Sequence, residues 1–262
     1  MATFADIPRG DDISVSATLF VTFIDCPQQA LARLQGVYPQ PTIAMFRGSL
    51  AHRIFARHLT DGPIADAELD AVCRSETGAH LNAQMSDVGL TKPSDFGVIV
   101  EQVREMYDRF RGIPTDGFDG AEVTIEHEVA DDITLKGRVD AVFNDADGVR
   151  IVDWKTGSYL GSTKVQLDFY ALAWTFATGA TPSRTEAVSL STGEKLVYEP
   201  TEGDLVETEG RLAAMIQELR AAMVSGAELA RTGGPHCAWC PLLDTCDEGQ
   251  SAAAVVSGSS IH

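Results

Sequence analysis

Gly137-Arg138-Val139-Asp140, then Val149-Arg150-Ile151-Val152-Asp153-Trp154-Lys155-Thr156-Gly157, then Gln166-x-x-x-Tyr170: these three pieces decide the fold. The first two are apolar, β-branched runs, and Asn144-Asp145-Ala146-Asp147-Gly148 between them is a turn signal. They read as adjacent antiparallel strands. Asp153 and Lys155 are two residues apart on one strand, so they share a face. Trp154 then points the other way, as a core aromatic, while its backbone carbonyl stays at the centre. Gln166 and Tyr170, at i and i+4 of a helix expected over residues 163–178, share a helix face. The order brings Asp140, Asp153, a lysine and a helix-borne amide to one point. Such a set suits phosphodiester hydrolysis, in which a hard divalent cation held by carboxylates offsets charge and activates water. Lys155 would orient that water or stabilise the developing charge. Gln166 and Tyr170 would steady the lysine or contact the phosphate.

Working outward, strand patterns begin at about Ala121 and continue through Ile133, Leu135 and Val139, with a turn at Asp131-Asp132. Two more strands surround Thr192-Gly193. Helical spacing marks residues 47–59, 94–110 and 204–224, the last with Leu205, Leu212, Ile216, Leu219 and Met223 on one side. Ser14 or Ser16 can cap a helix ending near Cys26, and Pro27 opens another to about Leu34. Residues 1–13 read as a polar lead-in and 62–92 as one or two short helices. The class is α/β: a mixed central sheet flanked by helices. One domain is expected over residues 1–249, its core at about 120–200, with 250–262 a disordered tail.

The 262 residues carry 20 basic and 38 acidic side chains, a net charge of −18. That argues against nucleic-acid binding through a broad basic surface but leaves room for a local cationic groove. There is no membrane-length apolar run and no signal-like N-terminus, so a cytoplasmic protein without a membrane partner is expected. The five cysteines are an odd number, a poor fit to a disulfide framework. Cys237, Cys240 and Cys246 fall within ten residues and suggest a metal or cluster site. Such sites usually take four protein ligands, and Cys26, Cys73 or His236 could be the fourth.

The ordered set resembles the RecB-type branch of the PD-(D/E)XK nuclease superfamily, whose pattern is Gly-x-x-Asp, then Asp-x-Lys-Thr-Gly, then Gln-x-x-x-Tyr. An upstream Arg-Gly-x-x-x-His of that family is matched by Arg47-Gly48-Ser49-Leu50-Ala51-His52. The resemblance implies a restriction-endonuclease-like core and a metal site of His52, Asp140, Asp153 and the Trp154 carbonyl, filled by Mg2+ or Mn2+. It implies catalytic roles for Asp140, Asp153, Lys155, Gln166 and Tyr170. A subset related to CRISPR adaptation exonucleases and AddB-type nuclease domains carries one cysteine before the core and three after it. By that likeness Cys26, Cys237, Cys240 and Cys246 hold a 4Fe-4S cluster joining segments 14–36 and 234–248, and Cys73 is a buried spare. Arg47, Arg53, Arg138 and Lys164, with Lys155, could line a DNA path. The expected activity is a metal-dependent DNA nuclease, an exonuclease on single strands or DNA ends. Repair, recombination or CRISPR adaptation is its setting, with a helicase or CRISPR integration complex as partner. The alternatives are a non-catalytic DNA-binding iron–sulfur module and an electron-transfer protein; the second leaves the acidic–lysine centre unexplained.

Overall fold

A short strand, β1 (Ile13–Ser16), leads straight into helix α1 (Ala17–Asp25), where the Ser16 hydroxyl accepts the Leu19 N–H at 3.1 Å. The computed structural model describes residues 3–157 and 161–258. β1 corrects the expectation of a polar lead-in and of a sheet that begins near Ala121. Its alternation, with Ile13 and Val15 buried, covers only four residues, too few for a sequence signal. α2 (Pro27–Leu34) and α3 (Ile43–Asp61) follow. Residues 62–92 form α4 (Leu69–Glu76), a π-helical turn (Thr77–Leu81) and α5 (Asn82–Asp87), after which comes α6 (Pro93–Phe110).

The sheet is mixed, as expected. β2 (Phe118–Ala130) and β3 (Ile133–Asp145) pair antiparallel around Asp131-Asp132. β4 (Gly148–Lys155) returns antiparallel to β3 across a two-residue turn. Helix α7 (Thr163–Thr178) crosses over to β5 (Arg184–Ser189), which runs parallel to β4, and β6 (Lys195–Tyr198) closes as a hairpin. α8 (Glu202–Ser225) opens with a Thr201–Asp204 capping box.

One edge of β3 carries β2 along most of its length. The other edge is divided: residues 133–136 pair with β1 in parallel, and residues 141–145 pair with β4. Residues 137–140, the Gly-x-x-Asp motif, lie in the fork between those two partners.

Each sheet face buries its own core. α1, α2, α7 and α8 cover Ile133, Leu135, Val139, Val142 and Ile151. α3, α4 and α6 cover Ala141, Phe143, Val152 and Trp154. Phe110 links that second layer, stacked on Phe55 with ring centroids 4.4 Å apart and edge-on to Trp154 at 5.1 Å. Trp154 and Cys73 are buried core residues, as expected. Met223, expected on the apolar side of α8, is exposed; Met215 and Ala222 are buried instead. The chain ends meet where the Leu229 N–H donates to Gln28 Oε1 at 2.6 Å and the Gln28 N–H donates to the Ala230 carbonyl at 3.1 Å. The expected disordered tail, residues 250–262, begins inside helix α9 (Asp247–Gly258), and 259–262 lie outside the described residues.

Two glycines probe this architecture. Gly117 has φ +76°, and a Cβ there would lie 2.7 Å from the Asn144 carbonyl oxygen. Gly117→Ala is expected to destabilise by about 1–3 kcal/mol. Gly97 sits mid-helix in α6, where an added methyl would meet no atom within 4 Å. Gly97→Ala should stabilise by about 0.5–1 kcal/mol. Urea denaturation reads both, and equal signs would contradict the geometry.

Candidate active site

The fork brings the sequence motifs together. Asp140 Oδ2 accepts the Trp154 N–H at 2.7 Å, and Asp140 Oδ1 lies 2.9 Å from His52 Nδ1 on α3. The Leu190 N–H donates to the Lys155 carbonyl at 2.7 Å, so Lys155 turns its backbone toward β5. Alternation then turns the Trp154 N–H and carbonyl to the opposite edge, where Asp140 waits. α3 comes this close because residue 48 is glycine: a Cβ there would stand 3.0 Å from Thr156 Oγ1. That contact gives the Arg-Gly lead before His52 a physical reason.

From the other side, α7 presents Gln166 and Tyr170. The Lys155 ammonium lies 2.8 Å from Asp153 Oδ2 and donates to Gln166 Oε1. Gln166 Nε2 donates to Asp153 Oδ1 at 2.9 Å and to the Tyr170 hydroxyl at 2.8 Å. Gln166 is the hub: its carbonyl fixes the lysine and its amide fixes the acid. The Tyr170 ring packs over Gly137, with a ring carbon 3.4 Å from where a Cβ would be, an ordinary contact.

One residue here escaped the sequence reading. Glu122 on β2 falls opposite Asp140 in register, and its backbone is left-handed, with φ 52°. His52, Glu122 and Asp140 form a set whose ligand atoms all lie within 4.8 Å of one another, and among the described residues it is the one such set of three. Counting back from the Asp131-Asp132 turn would set Val123 against Asp140. A register shift between Glu128 and Ala130 slides the strand by one residue and puts Glu122 there instead.

The electrostatics follow from crowding acids at a buried edge. Burial, with Asp140 beside it, pushes Asp153 up to about 6 against the downward pull of Lys155. Burial also raises Glu122, partly offset by Arg138 at 2.9 Å. For His52 burial acts downward, but the Asp140 charge, with Asp153 and Glu122, outweighs it and raises the imidazole. Burial and Asp153 raise the Tyr170 hydroxyl, which stays neutral. Asp153 Oδ2 is buried and meets the lysine charge but no hydrogen-bond donor in good geometry. A site of oxygen ligands with uncompensated negative charge and one imidazole fits a hard divalent cation.

This centre lines a cleft of about 1250 Å3. Arg47, Arg53 and Arg138 line it, as does Lys136, which the sequence reading did not single out. Arg53 is paired with Glu76 at 2.9 Å. Lys164 does not line the cleft: its ammonium rests on Asp168 at 2.7 Å, with Asp204 at 3.8 Å. A lysine one turn before Asp168 on a helix finds its partner locally, which the order of motifs could not reveal.

Cys26, Cys237, Cys240 and Cys246 line one small pocket at the meeting of the chain ends. Burial raises the Cys240 thiol, and the three other cysteines add to that. The Gly234 N–H points to Cys237 Sγ at 3.4 Å, and the Gly249 N–H to Cys246 Sγ at 3.3 Å. Cys73 is elsewhere, fully buried, its thiol pushed up to about 12 by burial and Asp70.

Residues 14–247 match the model of the PD-(D/E)XK nuclease superfamily, and the chain belongs to it. The fold is shared with a protein from Eubacterium rectale described as a candidate exonuclease: TM-score 0.53 and 13% identity, over 91% of this chain and 87% of that one. SSO0001 has TM-score 0.38 and 16% identity, over 78% and 96%. LHK-Exo, solved with dAMP, has TM-score 0.31 and 15% identity, over 79% and 94%. No curated protein matches the sequence.

Glu122→Gln is expected to weaken Mn2+ binding by about tenfold or more, read by isothermal titration calorimetry. Glu126→Gln, further along β2 and paired with Lys136 at 3.0 Å, should leave it unchanged.

Proposed function

We propose that the chain is a RecB-like, Mg2+- or Mn2+-dependent deoxyribonuclease, an exonuclease on single strands or DNA ends, with a 4Fe-4S cluster. The observation that carries the reading is the closed set of Asp140, Asp153, Lys155 and Gln166 at the floor of a cleft lined by arginines. His52, Glu122, Asp140 and Asp153, with the Trp154 carbonyl, would hold the cation. The cation supplies charge neutralisation and a lowered pKa for the attacking water.

The chain's own groups do the rest. Asp153 and Gln166 fix the Lys155 ammonium, so its charge is preorganised where negative charge grows on the phosphate. Tyr170, kept protonated, holds the Gln166 amide and leaves its carbonyl turned to the lysine. Arg47, Arg53 and Arg138 give an acidic protein a local cationic path, which guides a strand without a basic exterior. No helix among the described residues is long and apolar enough to cross a membrane.

The shared pocket of four thiols supports a cluster. One zinc, at 2.3 Å per thiolate, would draw its sulfurs to about 3.8 Å from each other. Among the described residues no three of these thiols gather within 4.8 Å. A four-iron cluster spaces its thiolates more widely, because each binds a different iron, and backbone N–H groups aimed at sulfur are a usual support. Cys26 and Cys237 are 211 residues apart, so the bridge would close a long loop and restrict the unfolded chain.

Lys155→Ala is expected to lower Mn2+-dependent cleavage of single-stranded DNA at least a hundredfold while Mn2+ and DNA still bind. Undiminished cleavage would remove the lysine from the chemistry. Protein purified without air should be brown, and Cys240→Ala should lose the colour and unfold at lower urea. A colourless wild type containing zinc would refute the cluster.

A further inference from the structure

Trp239 is 62% exposed, although tryptophan is the side chain with most to gain from burial. It belongs to neither core, and among the described residues its ring has no aromatic or cationic neighbour. It ends the 3-10 turn Pro235–Trp239, between Cys237 and Cys240. The cysteine pocket therefore fixes its backbone while its side chain projects outward. It projects to a particular place: Trp239 lines the cleft with Asp140, Asp153 and Lys155. It also lines a second hollow of about 330 Å3 that shares Lys155 and Gln166 with the cleft.

That hollow lies between α1, α2 and the start of α7, and its chemistry differs from the cleft. Thr22, Gln29 and Thr163 contribute uncharged polar groups. Gln29 is only 9% exposed, and its side-chain amide has no hydrogen-bond partner among the described residues. Asp25, holding the Ser162 hydroxyl at 2.8 Å, would repel a phosphate. The cations at the hollow are Lys155, already held by Asp153 and Gln166, and His236 when protonated. An amide that offers both donor and acceptor, beside a bare indole face, suits the edge and face of a neutral nucleobase.

We propose that Trp239 is the stacking platform for the nucleobase beside the scissile phosphate, and that the hollow between α1, α2 and α7 receives that base. This rests on the nuclease reading above and sharpens it. In a duplex both faces of a base are covered by its neighbours and its edge is paired, so the hollow admits only an unpaired or splayed nucleotide. Single strands and frayed ends are then selected by stacking. The cysteine segment gains a second task, holding a substrate contact at the mouth of the active site.

The test measures single-stranded oligonucleotide binding by the full chain in EDTA, with one abasic residue walked along the strand. Wild type should lose about tenfold in affinity when the abasic residue occupies one position, and Trp239→Ala should lose about tenfold on the intact strand and stop sensing that position. Trp239→Phe, which keeps an aromatic face and guards against misfolding, should bind normally but lose the tryptophan quenching seen with wild type. Equal affinity of wild type for every abasic strand overturns the proposal. So does quenching that persists in Trp239→Phe, or a Trp239→Ala loss that is the same on all strands. A protein that gives the abasic signature but cleaves with neither Mg2+ nor Mn2+ would sink the nuclease reading and leave the stacking site standing.

Discussion

Asp140 stands on β3 where one edge has no partner strand. Backbone N–H groups in a sheet must find acceptors, and the Trp154 N–H finds a side-chain carboxylate in place of a neighbouring carbonyl. That single hydrogen bond lets β4 leave β3 without stranding a donor. β1 takes up β3 on the far side of the gap, and the sheet forks. The second oxygen of the same carboxylate meets His52, which ties α3 to the fork. One group thus meets a structural need and forms a corner of the His52, Glu122 and Asp140 set. Removing it would leave a buried donor unpaired and would also break the set of His52, Glu122 and Asp140.

The fork also explains the charge pattern. His52, Glu122 and Asp140 converge on one point with buried Asp153 nearby, and the Asp140 charge helps to raise both Asp153 and Glu122. A protein concentrates acids in this way only where something cationic offsets them. Lys155 and Arg138 do so in part, each on one acid. The chain as a whole is acidic, net −18, while Arg47, Arg53, Lys136 and Arg138 line the cleft and set its local charge apart from that average. Closure of the chain supplies the third wall. Gln28 on α2 meets Leu229 and Ala230 through backbone and side-chain bonds, and the four cysteines gather at the same junction. Pro235–Trp239 is set against the cleft by that junction. The first and last segments therefore frame a site whose chemistry sits in the middle of the chain.

Most strands and helices were legible because their patterns are long. The 3.6-residue stripes of α6 and α8 and the Gly148 turn each span enough residues to fix one state. β1 was hidden, since its four residues hold only two apolar positions. Lys164 could not be told from a cleft-lining residue, because an acid one turn on claims it only once α7 forms. Glu122 was out of reach for a sharper reason: a one-residue shift in β2 decides which residue faces Asp140, and register is a property of two strands together.

The sequence by itself determined the ordered motifs, the alternation that puts Asp153 and Lys155 on one face, and the helix turn that pairs Gln166 with Tyr170. These follow from local geometry, with fixed periods along one chain segment. Only the tertiary structure decided the fork at residues 137–140, the approach of α3 over Gly48, the entry of Glu122 and the outward face of Trp239. Each of those depends on where a distant segment comes to rest, and packing and register fix that position where local pattern cannot.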